Sequence, residues 1–193
     1  MFQKMKMSHK LWTAVTLIVV LLVAVVAFAG YRSATLRAES DVVLQDAVAR
    51  HDAVVRWAGL TETNAVRTLA VVLSEEPEIQ AEFKGAITAT SAQISEVQKT
   101  LEGMNLSDRE KAQMATIAAA RKNMASQRDQ ARKLKSEGQP DAAIAFVRQS
   151  YNPASAAYLK TLGDFVSLEK QIIQETRDAV GKAGMQTVNI AAI

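Results

Sequence analysis

Five polar side chains carry the chemistry this sequence can offer: Asn64, Arg67, Arg121, Arg128 and Tyr158. Arg121 and Arg128 stand seven residues apart, and Met114 and Lys135 extend the same row at the same spacing. On a helix such a row stays on one stripe. In a bundle that stripe is expected to face neighbouring helices, where apolar groups are the norm. Two guanidiniums placed there need partners, and the row contains no carboxylate. A guanidinium fork matches a carboxylate bidentately, and Tyr158 adds a hydroxyl donor. Asn64 lies three residues before Arg67 and shares its helix face. The chemistry implied is recognition of a small carboxylate anion. The alternative is that the arginines reach the surface or pair with Glu62 or Glu169.

Other chemistries find less support. His51 is the only histidine beyond the first thirty residues and there is no cysteine, so neither a His/Cys metal site nor a disulfide framework is available and no cofactor is implied. No nucleophile, base and orienter occur together. Asp and Glu read as scattered over solvated faces, so an enzyme is not expected. Lys4, Lys6 and Lys10 account for the whole excess of 23 basic over 20 acidic residues. The rest of the chain is balanced, without the basic stripe that a nucleic acid partner would need.

The elements that must position these groups start from residues 11–30, which are uncharged and dominated by Leu, Ile, Val and Phe. As a helix they cover about 30 Å, the hydrocarbon thickness of a bilayer. The three lysines before this span, against Arg32 and Arg37 after it, place residues 1–10 in the cytoplasm. Residues 31–193 are then exported. A cleaved signal peptide is the rival reading, since Ala27-Phe28-Ala29 has the small-residue pattern of a cleavage site. Its apolar core would be about 7–15 residues, shorter than this one, which favours an anchor.

Beyond the span, scarce Gly and Pro and abundant Ala, Gln, Glu, Lys and Arg are the composition of long helices. The first continues to Ser74, with apolar positions Leu44, Val48, Val54, Val55, Ala58, Leu69 and Val72. Trp57, at helical spacing, is expected in the core or a dimer interface. Pro77 opens the second. Its stripe of Ile79, Phe83, Ile87, Thr90, Ile94, Val97 and Leu101 steps by three and four. Thr90 is expected to bond back to a carbonyl of the preceding turn. Ser107 and Glu110 form a capping box for the third, which runs to about Ser136 and has a second row at Ile117, Met124 and Ala131. Gly138-Gln139-Pro140 breaks the chain before a short helix. Asn152 as N-cap and Pro153 at N1 then start the fourth, with Tyr158, Leu162, Phe165, Ile172, Ala179 and Ala183 on its apolar face. The fold expected is all-α: an up-down-up-down four-helix bundle over residues 31–193, preceded by one transmembrane helix. In that topology Asn64, Arg67, Arg121, Arg128 and Tyr158 can converge near the membrane-distal end. The fourth helix heads back toward the membrane as the sequence stops, as expected of a fragment lacking a second span and a signalling region.

This arrangement resembles the N-terminal half of bacterial methyl-accepting chemotaxis receptors with four-helix-bundle sensor domains. The resemblance rests on the basic N-terminus, the single span, the returning fourth helix, the segment 57–73 with Thr61-Glu62-Thr63-Asn64 and Arg67, the short helix after Gly138 and the restart at Pro153. It implies a receptor in the inner membrane with a periplasmic sensor, working as a homodimer whose first helices pack together. It also implies a membrane-distal ligand site between the first, third and fourth helices. Displacement of the fourth helix would pass through a second span to a cytoplasmic hairpin that controls a histidine kinase through an adaptor. Arg67 matches an arginine that contacts ligand carboxylates in amino-acid-sensing relatives, but an earlier arginine of theirs falls on Glu62, which cannot clamp a carboxylate. Arg121, Arg128 and Tyr158 look instead like the equipment of relatives that sense di- or tricarboxylates such as tricarboxylic-acid-cycle intermediates. A sensor feeding a kinase or cyclase, with an amino-acid or other ligand, and a structural periplasmic coiled-coil protein stay open beside that reading.

Overall fold

The computed structural model describes residues 7–74 and 76–191. Side chains 7–10, 36 and 183–191 lie outside the description, Ala183 among them. The elements are α1 (Met7–Leu73), α2 (Pro77–Glu102), α3 (Asp108–Ser136), α4 (Pro140–Phe146) and α5 (Asn152–Ala191), and a π turn, Val147–Tyr151, joins the last two. No strand occurs among the described residues.

Two compact units are distinguished, one of them Asp46–Gln174 and the other made of the residues before and after it. In the second unit the N-terminal part of α1 contains the one described helix segment long and apolar enough to cross a membrane. Its side chains are exposed, from Leu11 and Trp12 to Phe28. A helix apolar all round and covered by nothing suits hydrocarbon rather than water. Thr16 is accommodated because its Oγ1 donates back to the Trp12 carbonyl at 2.8 Å.

Asp46–Gln174 is a four-helix bundle. Its main core draws Val54 and Trp57 from α1, Ile94, Val97 and Leu101 from α2, Ile117 from α3, and Tyr158, Leu162 and Phe165 from α5. Burial of side chains this size contributes about 1.5–3 kcal/mol each. A smaller cluster of Val72, Ala131, Val147 and Tyr151 seals the bundle beside α4. On α1 the buried residues Ala47, Val54, Thr61 and Thr68 form a seven-residue row flanked by Trp57 and Val72. Val48 and Val55, expected on the apolar face, are exposed instead, so α1 carries a second apolar row that its own bundle does not cover. Simple apolar spacing cannot separate two such stripes on one helix.

The caps explain the chain reversals. Glu110 accepts from the Ser107 backbone N–H at 2.6 Å while its own N–H donates to Ser107 Oγ, so the capping box is complete. An N-cap of this kind contributes about 1 kcal/mol. At the other end of α3, Gly138 adopts φ 75°, and the Gln139 N–H closes onto the Leu134 carbonyl. Only glycine takes that left-handed turn without a Cβ penalty, and Pro140 can then open α4.

One expected boundary is corrected. Asn152 is not an N-cap, since its φ −60° and ψ −46° are helical and its N–H donates to the Val147 carbonyl five residues back. Pro153 lacks an N–H to continue the i→i−4 ladder. The wider π register absorbs that gap, so α4 and α5 join without a break.

Candidate functional site

Four of the five groups singled out in the sequence, Asn64, Arg121, Arg128 and Tyr158, line one small cavity inside the bundle. Helix α1 also supplies Thr61 and Thr68, α2 supplies Ser91, and α5 supplies Ser155. The cavity holds about 70 Å³, room for roughly two waters. None of its lining residues is acidic.

Each polar group has a physical reason for its place. The buried row of α3 is Glu110, Ile117 and Ala131, with Met124 packed against the core beside it. Arg121 and Arg128 occupy the adjoining row and are half-buried, so their stems lie along the core while their heads reach its rim. Arg121 Nη1 donates to Gln98 Oε1 at 2.5 Å, and Arg128 Nε pairs with Asp129 Oδ1 at 2.9 Å. Their partners are thus Gln98 and Asp129 and not the anticipated Glu62 or Glu169. The Arg128–Asp129 pair is adjacent in sequence and exposed on its acidic side, so it contributes little and is readily exchanged.

Tyr158 is buried and accepts a hydrogen bond on its hydroxyl from Trp57 Nε1 at 3.3 Å. No described residue accepts the hydroxyl proton itself. Asn64 Nδ2 donates to Ser91 Oγ at 3.0 Å and to the Ile87 carbonyl at 3.3 Å, leaving Asn64 Oδ1 buried without a donor. Thr61 Oγ1 is also buried without a partner. Unsatisfied polar atoms around a cavity are unusual in native interiors. Here they comprise the acceptor Asn64 Oδ1 and the Thr61 hydroxyl, which can donate or accept. Above them, burial raises the Tyr151 hydroxyl pKa, and this hydroxyl lies near Ser155 and Thr68 without a well-directed bond to either.

Arg67 does not line this cavity. Its Nη1 donates to Thr90 Oγ1 at 2.8 Å, and it borders a separate groove with Glu62, Thr63, Val66, Ala70 and Phe83. Thr90 thus serves Arg67, which accounts for a polar residue in the buried stripe of α2. A third and larger space, about 640 Å³, lies between α1, α2 and α3 with Lys84, Arg132 and Lys135 on its walls. Lys135 is already engaged there, because its Nζ donates to the Val71 carbonyl at 3.0 Å and the Val72 carbonyl at 3.2 Å and also bonds the Ser74 carbonyl.

Sequence reasoning missed a second polar centre. Arg50 Nε lies 2.8 Å from Glu110 Oε1 and 3.9 Å from Glu169 Oε2, with both carboxylates buried. These acids are therefore not on solvated faces. Glu169 continues the Tyr158, Leu162, Phe165 stripe, which was the available signal.

The described residues form an all-α bundle with a polar cavity among its helices and an apolar N-terminal helix, the architecture of a membrane-type helical-bundle domain. Residues 4–179 match the family of four-helix-bundle sensory modules for signal transduction, and the chain belongs to that family, the sensor type of methyl-accepting chemotaxis receptors. Domains of this family are signalling receptor domains and not typically catalytic. No curated protein matches the sequence at a significant level.

Proposed function

We propose that the protein senses a small organic acid, a di- or tricarboxylate, in the cavity between α1, α2, α3 and α5. The observation that carries this reading is the joint presence of two arginines and a tyrosine around an interior space without any acidic lining residue. One carboxylate takes a guanidinium from Arg121 or Arg128 and the free proton of Tyr158. Asn64 Oδ1 favours an acid that also carries a hydroxyl. The space is smaller than such a ligand, so entry requires Arg128 to leave Asp129 and the helices to shift. Binding that requires a shift is differential between two states, which is what a sensor needs. In this reading the span anchors the chain in the inner membrane with the bundle in the periplasm. Movement of α5 is passed to a cytoplasmic kinase-control region.

A thermal-shift screen against dicarboxylic, tricarboxylic and amino acids tests it. A cognate acid raises the melting temperature by mass action, by the equivalent of about 2.7 kcal/mol at a hundred times its Kd. Arg128→Ala and Arg121→Ala each abolish most of that shift. If the shift survives both but disappears in Arg132→Ala, the ligand sits in the groove between α1, α2 and α3 instead. If no acid stabilises the wild type, carboxylate sensing is wrong.

The uncovered α1 row of Val48, Val55, Val66 and Leu73, from 37% to 66% exposed, fits a second copy of the chain packed along α1. In lipid nanodiscs, crosslinking through Val55→Cys captures a dimer, and Val55→Glu/Val66→Glu leaves a monomer. A wild-type chain that stays monomeric at every concentration would remove this part of the reading.

A further inference from the structure

Arg50 on α1, Glu110 on α3 and Glu169 on α5 meet inside the bundle, apart from the anion cavity. Their side chains are 12%, 1% and 0% exposed. One guanidinium thus faces two carboxylates, and with both ionised the cluster would hold a net negative charge away from water. The Arg50–Glu110 contact is short but off-line, since Arg50 Nε and Glu110 Oε1 both lack a well-directed hydrogen bond. Among the described residues no donor is directed at either carboxylate oxygen of Glu169, so the only hydrogen bond open to it is one that it donates itself when protonated. A buried anion left in that condition is costly, and two carboxylates in contact do not ionise together cheaply. Glu110 has the stronger claim to the charge, because its other oxygen caps the Ser107 N–H and fixes it to the start of α3.

We propose that Glu110 and Glu169, bridged by Arg50, form a proton-binding site that couples the packing of α5 against α1 and α3 to pH. With the proton present, neutral Glu169 donates to Glu110, and the cluster is one carboxylate against one guanidinium. When the proton leaves, Glu169 carries a charge that its place in the bundle does not solvate, and α5 is pushed toward hydration. The sensor then reads external acidity in addition to any ligand, and this holds whether or not the cavity binds a carboxylate.

The electrostatics agree with the geometry. Burial, the Glu110 charge and the hydrogen bond to Glu110 push the Glu169 carboxyl up to about 7, against the pull of Arg50. Burial also acts to raise Glu110, but hydrogen bonds from Ser107 and Glu169 and the Arg50 charge outweigh it and hold Glu110 below its ordinary value. The charged groups acting on Glu169 are Arg50 from α1 and Glu110 from α3, with none from α2 among the described residues. Asp46, His51, Asp52 and Arg56 are the other titratable groups on this stretch of α1, and His51, beside Arg50, has its Nδ1 buried without a partner among the described residues.

The sign follows from linkage. Between the ordinary carboxyl value of 4.5 and about 7 the folded state holds the Glu169 proton and the unfolded state does not. Stability contributed by this group therefore falls as pH rises through that interval and levels off above it. Glu110, being depressed, acts in the opposite sense and only below 4.5.

The test uses the whole chain in nanodiscs, with glutamate carboxyl carbons labelled for NMR and denaturant unfolding followed by Trp57 fluorescence. One carboxyl resonance titrates near neutrality and is absent in Glu169→Gln, while in Glu110→Gln it moves to lower pH. The unfolding constant of the wild type rises on the order of a hundredfold between about pH 5 and pH 8, and that of Glu169→Gln stays flat. His51→Gln keeps the wild-type slope. If no carboxyl titrates near neutrality, if the resonance persists in Glu169→Gln, or if the slope disappears with His51 instead, the proposal is overturned.

Discussion

Replacing Arg50 by leucine is expected to destabilise the bundle by about 3–5 kcal/mol at neutral pH, one of the largest effects of any single substitution outside the apolar core. The size comes from what the change leaves behind. Glu110 and Glu169 stay buried without their one cation. The loss is smaller near pH 5, where Glu169 takes its proton and only Glu110 is stranded, and larger near pH 8, where both would be charged. The double variant Arg50→Leu/Glu169→Gln recovers part of the loss at pH 8, because it removes one of the stranded charges. Chemical denaturation of the wild type, Arg50→Leu, Glu169→Gln and the double variant at the two pH values measures all of this. Equal losses at both pH values, below about 1 kcal/mol, would show that the ion pair contributes no more than an exposed one.

Trp57→Ala is expected to cost about 3–5 kcal/mol by a different route. Trp57 is 1% exposed at the centre of the main core and holds the Tyr158 hydroxyl through its indole N–H. Alanine removes both the packing and the donor. Trp57→Phe keeps most of the ring volume and loses the donor, and its cost is about 1–2 kcal/mol. The two variants separate stability from recognition. Trp57→Phe folds, but its Tyr158 is free to turn, so ligand stabilisation weakens more than its modest stability loss accounts for. Denaturant midpoints, read with and without an acid identified by thermal shift, check this. Matching losses in the two variants would mean that the hydrogen bond, and not the ring, dominates at Trp57.

The sequence made the helices and their ends legible because those features are local. Pro77, the Ser107–Glu110 box and Gly138 act within one turn, and each appears where its chemistry requires. The α2 stripe was equally plain, since Ile94, Val97 and Leu101 follow one helical face into the core. On α1 periodicity was right for Val54, Ala58, Leu69 and Val72, which lie in or against the core, and wrong for Val48 and Val55. That helix has a buried row at Ala47, Val54, Thr61 and Thr68 and an exposed apolar row at Val48 and Val55, and small or polar residues fill the buried one.

Part of the site was visible for a related reason. Arginines at seven-residue spacing stand out against an apolar seam, and Arg121 and Arg128 do border a common cavity with Asn64 and Tyr158. The placement of Arg67 depends on the rotation of α1 against α2, which spacing within α1 does not specify, and it points to Thr90. The Arg50, Glu110, Glu169 cluster was hidden for the same reason. Its members lie on three helices, and Glu110 already had a sufficient local explanation as a cap.

The π turn at Val147–Tyr151 has a consequence for timing along the helix. Buried residues Ala143, Val147, Tyr151 and Ser155 recur every four residues, and in α geometry each such step would overshoot the face by about 40°. One wide turn takes back most of that drift, so Tyr158, Leu162, Phe165 and Glu169 enter the bundle on the same side as α4. The segment behaves like a leap day in a calendar. One surplus residue keeps two counts in step, and losing it would rotate the α5 face by about 100° relative to α4, carrying Tyr158 and Glu169 away from their partners together.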